Sequence, residues 1–418
     1  MSSLNDPLTF RHGATVDNRF VLPPMLTNSG EDGYITPDTI DYYHARAKSG
    51  GLVMTEYMYV TENGGPALTW KRGREQLAAY DDKFLPQLKK LAQTMKHSGS
   101  KAIMQIAHTG REANYRAMQG KKVYAPTGLE DGSDFPFLDY KVHSLSDEQI
   151  KDIIAGFGKA AKRAIDAGFD GVEIHGANHY LIQQFVSAYS NHRTDHWGGS
   201  VEKRMNFPLA VVKTVMETVK KYAPKDFIVG YRISPEEIHG KNVGYTWHES
   251  TQLINQITKQ FDLDYIHLSM LNFDSKPGDA LLLDTDGEAD NQFKDSDKPF
   301  ATLFKPCLNG SKEIIVGGID SKEKAESALS LADLVAVGRE NIIDPDFAEK
   351  ILNHQEDQII TSLSIEQTKK NHMTPGLIDT FSSSATAIPL SGAENIQPLH
   401  QGFGGWTEMT YPDNSETK

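Results

Sequence analysis

The stretch SDEQIKDIIAGFGKAAKRAIDAGFDGVEIHGANHY, residues 146–180, reads as a helix that runs straight into a buried strand. Ser146 and Gln149 have the Ser-x-x-Gln spacing of a capping box, in which each side chain satisfies the other residue's backbone N–H. Ile150, Ile153, Ile154, Phe157, Ala161, Ala164 and Ile165 then keep the period of one helix face, and Gly168 supplies a stop. GVEIH follows at once, apolar and too short to be a second helix. This is an α-to-β step with both of its end signals in place.

Working outward, seven more runs rich in Val, Ile or Leu recur at 20–24, 51–56, 101–108, 227–234, 265–269, 313–317 and 333–338, with 171–175 as the fourth in order. Longer segments with helical periodicity separate them. Short, apolar strands of this kind suit a parallel sheet buried on both faces. Eight of them alternating with helices predict an α/β fold, a closed (β/α)8 TIM barrel with long βα loops. The long loops are 109–145 and 270–297, and in a barrel they rise on the C-terminal face, where active sites are built. Residues 1–355 are expected to form the barrel. Residues 356–418, rich in Ser and Thr and ending in an acidic stretch, read as a C-terminal extension without a fold of its own.

Charge and cysteine usage narrow the function classes. Lys and Arg total 43 against 56 Asp and Glu, a net charge of −13 with no basic block, which argues against nucleic acid or an anionic membrane as partner. One cysteine, Cys307, excludes an internal disulfide, a cysteine zinc site and an iron–sulfur cluster. The opening MSSLNDPLTF has no basic and apolar signal pattern, and no apolar run approaches the roughly 20 residues of a membrane span. A cytoplasmic location is expected.

The densest chemistry lies where the fourth strand ends. His175 falls at its C-terminal lip, with Asn178 and Tyr180 in the turn beyond. A His and an Asn can direct donors at one oxygen while a nearby phenol offers a proton, which suits polarising a carbonyl and protonating the adjacent carbon. A loop with ordinary polar caps accounts for the same spacing. The four-residue spacings His175/His179 and His192/His196 lack the Glu of a zinc-protease motif, and no metal is expected. Gly317-Gly318 and Gly338-Arg339 end the last two strands, where backbone N–H groups can reach a phosphate unobstructed and Arg339 can add charge. Gln105 and Arg232 interrupt apolar strands and need buried partners, either a polar heterocycle at the mouth or, for Arg232, a carboxylate such as Glu56 or Glu173. Neither a Rossmann glycine pattern nor a Walker A motif is present.

These residues carry a resemblance. HGANHYLIQQFVSAYSNHRTDHWGGSVEKR (175–204), with NRFVLPPM (18–25), MQIAHTGR (104–111), YRIS (231–234), VGGI (316–319) and VGR (337–339), resembles the old yellow enzyme family of NAD(P)H-dependent flavin oxidoreductases, from about residue 18 to 347. The resemblance implies tightly bound FMN across the barrel mouth. It sets Pro24, Met25, Leu26 and Tyr57 along the ring, Gln105 and Arg232 on its polar edge, and Gly317, Gly318, Gly338 and Arg339 at the phosphate. It implies NADPH or NADH as hydride donor and an activated alkene as the small-molecule substrate. His175 and Asn178 would then bond the activating oxygen and Tyr180 would protonate the α-carbon. Leu26 stands where many members have Thr or Cys, Tyr57 where a small residue is usual, Asn28 where one bacterial branch has Tyr, and His196-Trp197 where Glu-Tyr is usual. Reduction of nitro groups, quinones or free flavin is the alternative on the same site. A flavin-free barrel lyase or hydrolase and a non-catalytic FMN-binding module are the more distant readings. Homo-oligomers are compatible with the resemblance.

Overall fold

The apolar runs pair edge to edge, and the computed structural model, which describes residues 2–67, 74–113, 121–129, 141–239, 242–279, 293–382 and 390–401, shows them closed into a ring. The strands are β1 (Phe20–Leu22), β2 (Leu52–Tyr59), β3 (Lys101–Ala107), β4 (Gly171–Gly176), β5 (Ile228–Ile233), β6 (Tyr265–Leu268), β7 (Lys312–Val316) and β8 (Leu334–Ala336). Each lies parallel to the next, and β8 returns to β1 with Val335 opposite Phe20 and Ala336 opposite Val21. All eight predicted strands are present, and the fold is the (β/α)8 barrel.

The helices that carry the chain back are α1 (Pro37–Ala45), α2 (Leu85–Lys96), α3 (Asp147–Ala167), α4 (Asn206–Tyr222), α5 (Trp247–Gln260), α6 (Phe300–Phe304), α7 (Lys322–Leu331) and α8 (Phe347–Leu352). In α3 the capping box forms as read. The Ser146 side chain accepts from the Gln149 N–H, the Gln149 side chain accepts from the Ser146 N–H at 2.9 Å, and Gly168 ends the helix at φ 81°. Its buried face carries Ile150, Ile153, Phe157, Ala161 and Ala164, with Ile154 and Ile165 half-buried at the flanks.

Strand alternation sends one set of side chains into the barrel, and its lower part is a dry floor. Val21, Leu52, Met54, Ile103, Ile228, Tyr265, Ile314, Leu334 and Ala336 pack together there. A hairpin formed by Leu8–Thr9 and Thr15–Val16 closes the bottom, adding Leu8, Phe10, Ala14 and Val16 to the same cluster. His12 anchors it by pairing with the buried Asp264 at 2.9 Å, just before β6.

β2 departs from regular alternation. Met54 lies opposite Ile103, but Tyr57 lies opposite Gln105, so Thr55 and Glu56 form a bulge. An extra residue in one strand reverses which side chain faces in. The bulge puts Tyr57 on the interior face beside Gln105, and sends Glu56 outward, where it accepts from the Thr27 N–H while its own N–H donates to the Tyr43 hydroxyl at 2.5 Å.

Beyond α8 the chain packs back onto the β1 exit. The fully buried Arg46 donates to the carbonyls of Asn371 at 2.9 Å and Asn341 at 3.0 Å. The Thr374 hydroxyl donates to the Thr27 carbonyl, and the Asn28 amide donates to Thr380 Oγ1 at 3.1 Å. The acidic chain end at 402–418 and parts of both long loops, at 114–120, 130–140 and 280–292, lie outside the described residues. Among those described, no helix is long and apolar enough to cross a membrane.

Candidate active site

Above the floor the barrel interior changes character. Register places His175, Arg232 and His267 side by side on β4, β5 and β6, with Gln105 and Glu173 paired across β3 and β4. All five side chains are buried. Glu173 accepts from Gln105 Nε2 at 2.7 Å and pairs with His267 Nδ1 at 2.9 Å. Burial alone pushes a carboxyl's pKa up, but His267, Arg232 and Gln105 together hold Glu173 below its ordinary value, so it stays ionised.

The same surroundings act the other way on the histidine. Burial first, and then the Arg232 charge, bring the His175 pKa well below the usual histidine value. His175 is therefore a neutral imidazole that can give a hydrogen bond without bringing a charge. Three polar atoms of this row are buried without a protein partner: Arg232 Nε, His175 Nδ1 and His267 Nε2. Orphaned buried donors and acceptors are costly, and at the open end of a barrel they mark where a polar ligand completes the structure.

β4 ends in a strained turn. Asn178 and His179 both have positive φ, 56° and 60°, which non-glycine residues adopt only when surroundings enforce it. The enforcing contacts are clear. Asn178 N–H donates to Ser234 Oγ at 3.1 Å, and its side-chain oxygen accepts from Ser269 Oγ at 2.9 Å, tying it to the exits of β5 and β6. The Asn178 side chain is exposed at this rim, its Oδ1 turned to Ser269. The backbone of His179 is pinned at its N–H by Gln183 Oε1 at 3.1 Å and at its carbonyl by Gln184 Nε2 at 2.6 Å. Tyr180 turns back under this loop, its ring edge-on to His175 with centroids 5.1 Å apart. Burial raises its pKa, so the phenol keeps its proton.

His175 and His179 point into different neighbourhoods. His179 joins Glu237 and His239, whose potential ligand atoms lie within 4.8 Å of one another. Glu237 is already occupied, accepting from Gln183 at 2.7 Å, Ser187 at 2.8 Å and His239 at 3.3 Å. Burial works to raise its pKa, but His239, His179 and Arg111 outweigh that and bring it down to about 2. The cluster buttresses the strained turn from behind.

The remaining predicted residues line the rim. Pro24, Met25 and Leu26 are half-buried where β1 exits, and Met25 Sδ is 3.3 Å from where a Cβ on Gly338 would stand. This brings the β1 and β8 exits together. Thr27 faces away from the mouth, its hydroxyl bonded to Ser29 at 2.7 Å, so Leu26 has no neighbouring hydroxyl to stand in for it. Gly317 and Gly318 adopt φ 123° and 64°, conformations open to glycine, and a Cβ at Gly317 would stand 2.5 Å from the Leu271 backbone, so the pair lets the β6 and β7 exits pack closely. Arg339 is exposed at the start of the Arg339–Ile343 helix. Tyr57 meets Tyr180 edge to face at 5.1 Å. These features fit the FMN that the sequence resemblance implies: a buried cation and imidazoles with unpartnered nitrogens for a polar ring edge, and glycines with Arg339 at the adjacent exits of β7 and β8 for a phosphate. His267 went unnoticed in the sequence. The signal was available, since it is a polar residue inside an apolar strand, as Gln105 and Arg232 are.

Comparison with known proteins bears on the family and the fold. The NADH:flavin oxidoreductase / NADH oxidase family matches residues 3–358. A probable NADH-dependent flavin oxidoreductase of Bacillus subtilis is 36% identical over 392 residues, covering 92% of this chain and 97% of the relative. An NADH:acrylate oxidoreductase of Vibrio harveyi is 37% identical over 360 residues, covering 85% of this chain and 34% of that longer protein. Among solved structures, an old yellow enzyme homologue from Zymomonas mobilis shares the fold, with a TM-score of 0.69 at 24% identity over 89% of this chain and 99% of the other.

Proposed function

We propose that this chain, which belongs to the NADH:flavin oxidoreductase / NADH oxidase family, reduces electron-poor C=C bonds in α,β-unsaturated carbonyl or nitro compounds, with Tyr180 as the proton donor. FMN is the cofactor of the family, and NADH or NADPH is the reductant. When bound, FMN supplies two-electron chemistry between that reductant and an acceptor.

The chain's own residues divide the remaining work. Arg232, Gln105, Gly317, Gly318, Gly338 and Arg339 hold the cofactor, and Pro24, Met25, Leu26 and Tyr57 border it. The neutral His175 and the Asn178 NH2 donate to the activating oxygen of the substrate, drawing electron density from the alkene. Tyr180 then delivers its proton to the α-carbon. The described residues of the 356–418 extension are held on the barrel by the Arg46, Thr374 and Asn28 contacts, which favours an extension over a unit that folds alone.

The observation that carries the reading is the Tyr180 phenol, kept protonated by burial and set edge-on to a neutral His175. The name of the Vibrio harveyi relative, an acrylate oxidoreductase, is in keeping with it. Tyr180→Phe tests it by anaerobic half-reactions. NADPH or NADH should still bleach the flavin, while reoxidation by cyclohexenone slows by roughly 100-fold, the size expected for losing a general acid. Reoxidation by a quinone, or by a nitroaromatic compound reduced at its nitro group, needs no carbon protonation and should persist. Equal rates of enone reduction in the two proteins would remove Tyr180 from the role.

A further inference from the structure

Tyr57 has surroundings that cofactor contact does not explain. The β2 bulge turns it inward, where both it and Tyr180 are buried and their rings meet at 5.1 Å and 82°. Its hydroxyl oxygen accepts from the Ala67 N–H at 3.0 Å, so its single proton is free to be donated. Two acceptors compete for that proton. In the structure the proton goes to the first, Gln76 Oε1 at 3.2 Å; the second is the oxygen of Tyr180, whose ring meets that of Tyr57 edge-on. Gln76 is itself held, its Nε2 donating to Asn28 Oδ1 at 2.7 Å and its Oε1 accepting from Ala67 at 3.0 Å. The position of the Tyr57 hydroxyl is thus fixed by Ala67, and its 3.2 Å bond to Gln76 is what a turn of the proton toward Tyr180 would give up.

We propose that Tyr57 is a positioning residue for proton transfer, its hydroxyl donating to the Tyr180 oxygen and steadying the phenolate left when Tyr180 gives up its proton. The inference rests on Tyr180 being the acid of the proposed alkene reduction. In that step the O–H bond of Tyr180 breaks, the proton joins the substrate α-carbon and the electron pair stays on oxygen. The two reducing electrons come from NAD(P)H by way of FMN, and water returns the proton afterwards.

The need for such a donor follows from what faces Tyr180. Burial, Glu112 from the loop after β3 and Glu56 from β2 all disfavour its phenolate. Arg232 from β5 and the Tyr57 hydroxyl favour it, and the adjoining His175 is neutral. A hydrogen bond to an ionised group is stronger than one to a neutral acceptor. As charge forms on Tyr180, the Tyr57 proton therefore turns from Gln76 toward it.

The test places 3,5-difluorotyrosine at position 180 of the FMN-loaded protein, which makes the phenol acidic enough to titrate by ¹⁹F NMR without turnover. Tyr57→Phe should raise the titration midpoint by about one pH unit, matching a rate loss of about tenfold in alkene reduction by the same variant with ordinary Tyr180. Gln76→Met removes the rival acceptor and should lower the midpoint, and it decides the matter if Tyr57→Phe does not fold or does not retain FMN. A midpoint unmoved by these changes overturns the inference, even where Tyr180→Phe still stops enone reduction. If Tyr180→Phe reduces enones normally, the acid reading itself fails and the inference falls with it.

Discussion

Below the level of Glu173 the barrel interior is Val21, Leu52, Met54, Ile103, Ile228, Ile314 and Leu334, sealed underneath by Leu8, Phe10 and Val16. Above it stand His175, Arg232 and His267, each with a buried polar atom that no protein group satisfies. The same eight strands build both halves, so backbone geometry is not what separates them. The floor gains stability from contacts already made, and the mouth holds polar groups whose partner arrives with a ligand. Stability and function are therefore separable along the barrel axis, and substitutions in the two halves should differ in kind.

The largest expected effect is in the floor. Phe10 is 1% exposed and lies against Tyr265 with ring centroids 6.1 Å apart. Phe10→Ala opens a cavity under the barrel and should cost about 3–5 kcal/mol, read from the urea midpoint of the flavin-free protein. A loss below about 1 kcal/mol would mean that the hairpin is a loose cover, and the contrast with the mouth would weaken.

How much of this was legible follows the same division. The floor and its strands were readable because burial selects Val, Ile and Leu, and α3 because its cap and stop are local. His175, Asn178, Tyr180, Gln105 and Arg232 were readable as polar interruptions at strand ends. The bulge was not. Every residue of LVMTEYMY in β2 is buried, so the run carries no polar alternation from which an inserted residue could be noticed. Sequence spacing therefore could not show that Tyr57 faces the site, Glu56 faces out and Thr27 turns away. Nor could it bring His179 to Glu237 and His239, which depends on how the β4 and β5 loops fold toward each other.

The bulge supplies the next test. Glu56 is fully buried with Oε1 unpartnered, and burial raises its pKa to about 7 against the bonds it accepts from Thr27. The folded state then binds a proton that the unfolded chain has released, from about pH 4.5 upward. Glu56's contribution is present at low pH and is lost as pH rises through about 7. Relative to Glu56→Gln, the wild-type protein should lose up to about 3 kcal/mol between pH 4.5 and 8. Parallel stability curves for the two proteins would show that Glu56 is ionised throughout, and that the bulge carries a buried charge with no ion pair within 4.0 Å among the described residues.

The smallest expected stability change bears most directly on the mouth. Arg232 is a buried cation that makes no ion pair within 4.0 Å among the described residues, and its Nε is without a partner. Glu173 is the carboxylate that balances it, yet Glu173 spends its hydrogen bonds on Gln105 and His267. The desolvation cost of Arg232 leaves with its charge, but so does its pull on the buried Glu173, and the two changes oppose each other. Arg232→Met should therefore change the stability of the flavin-free protein by no more than about 1 kcal/mol. The same change should weaken FMN binding by about tenfold or more, since a charge-assisted bond to the cofactor is lost. Calorimetric melting without FMN and fluorescence titration with it measure the two effects separately. Destabilisation of the flavin-free protein would instead assign Arg232 to the structure, with Glu173 as its partner, and the boundary between floor and mouth would have to be drawn above it.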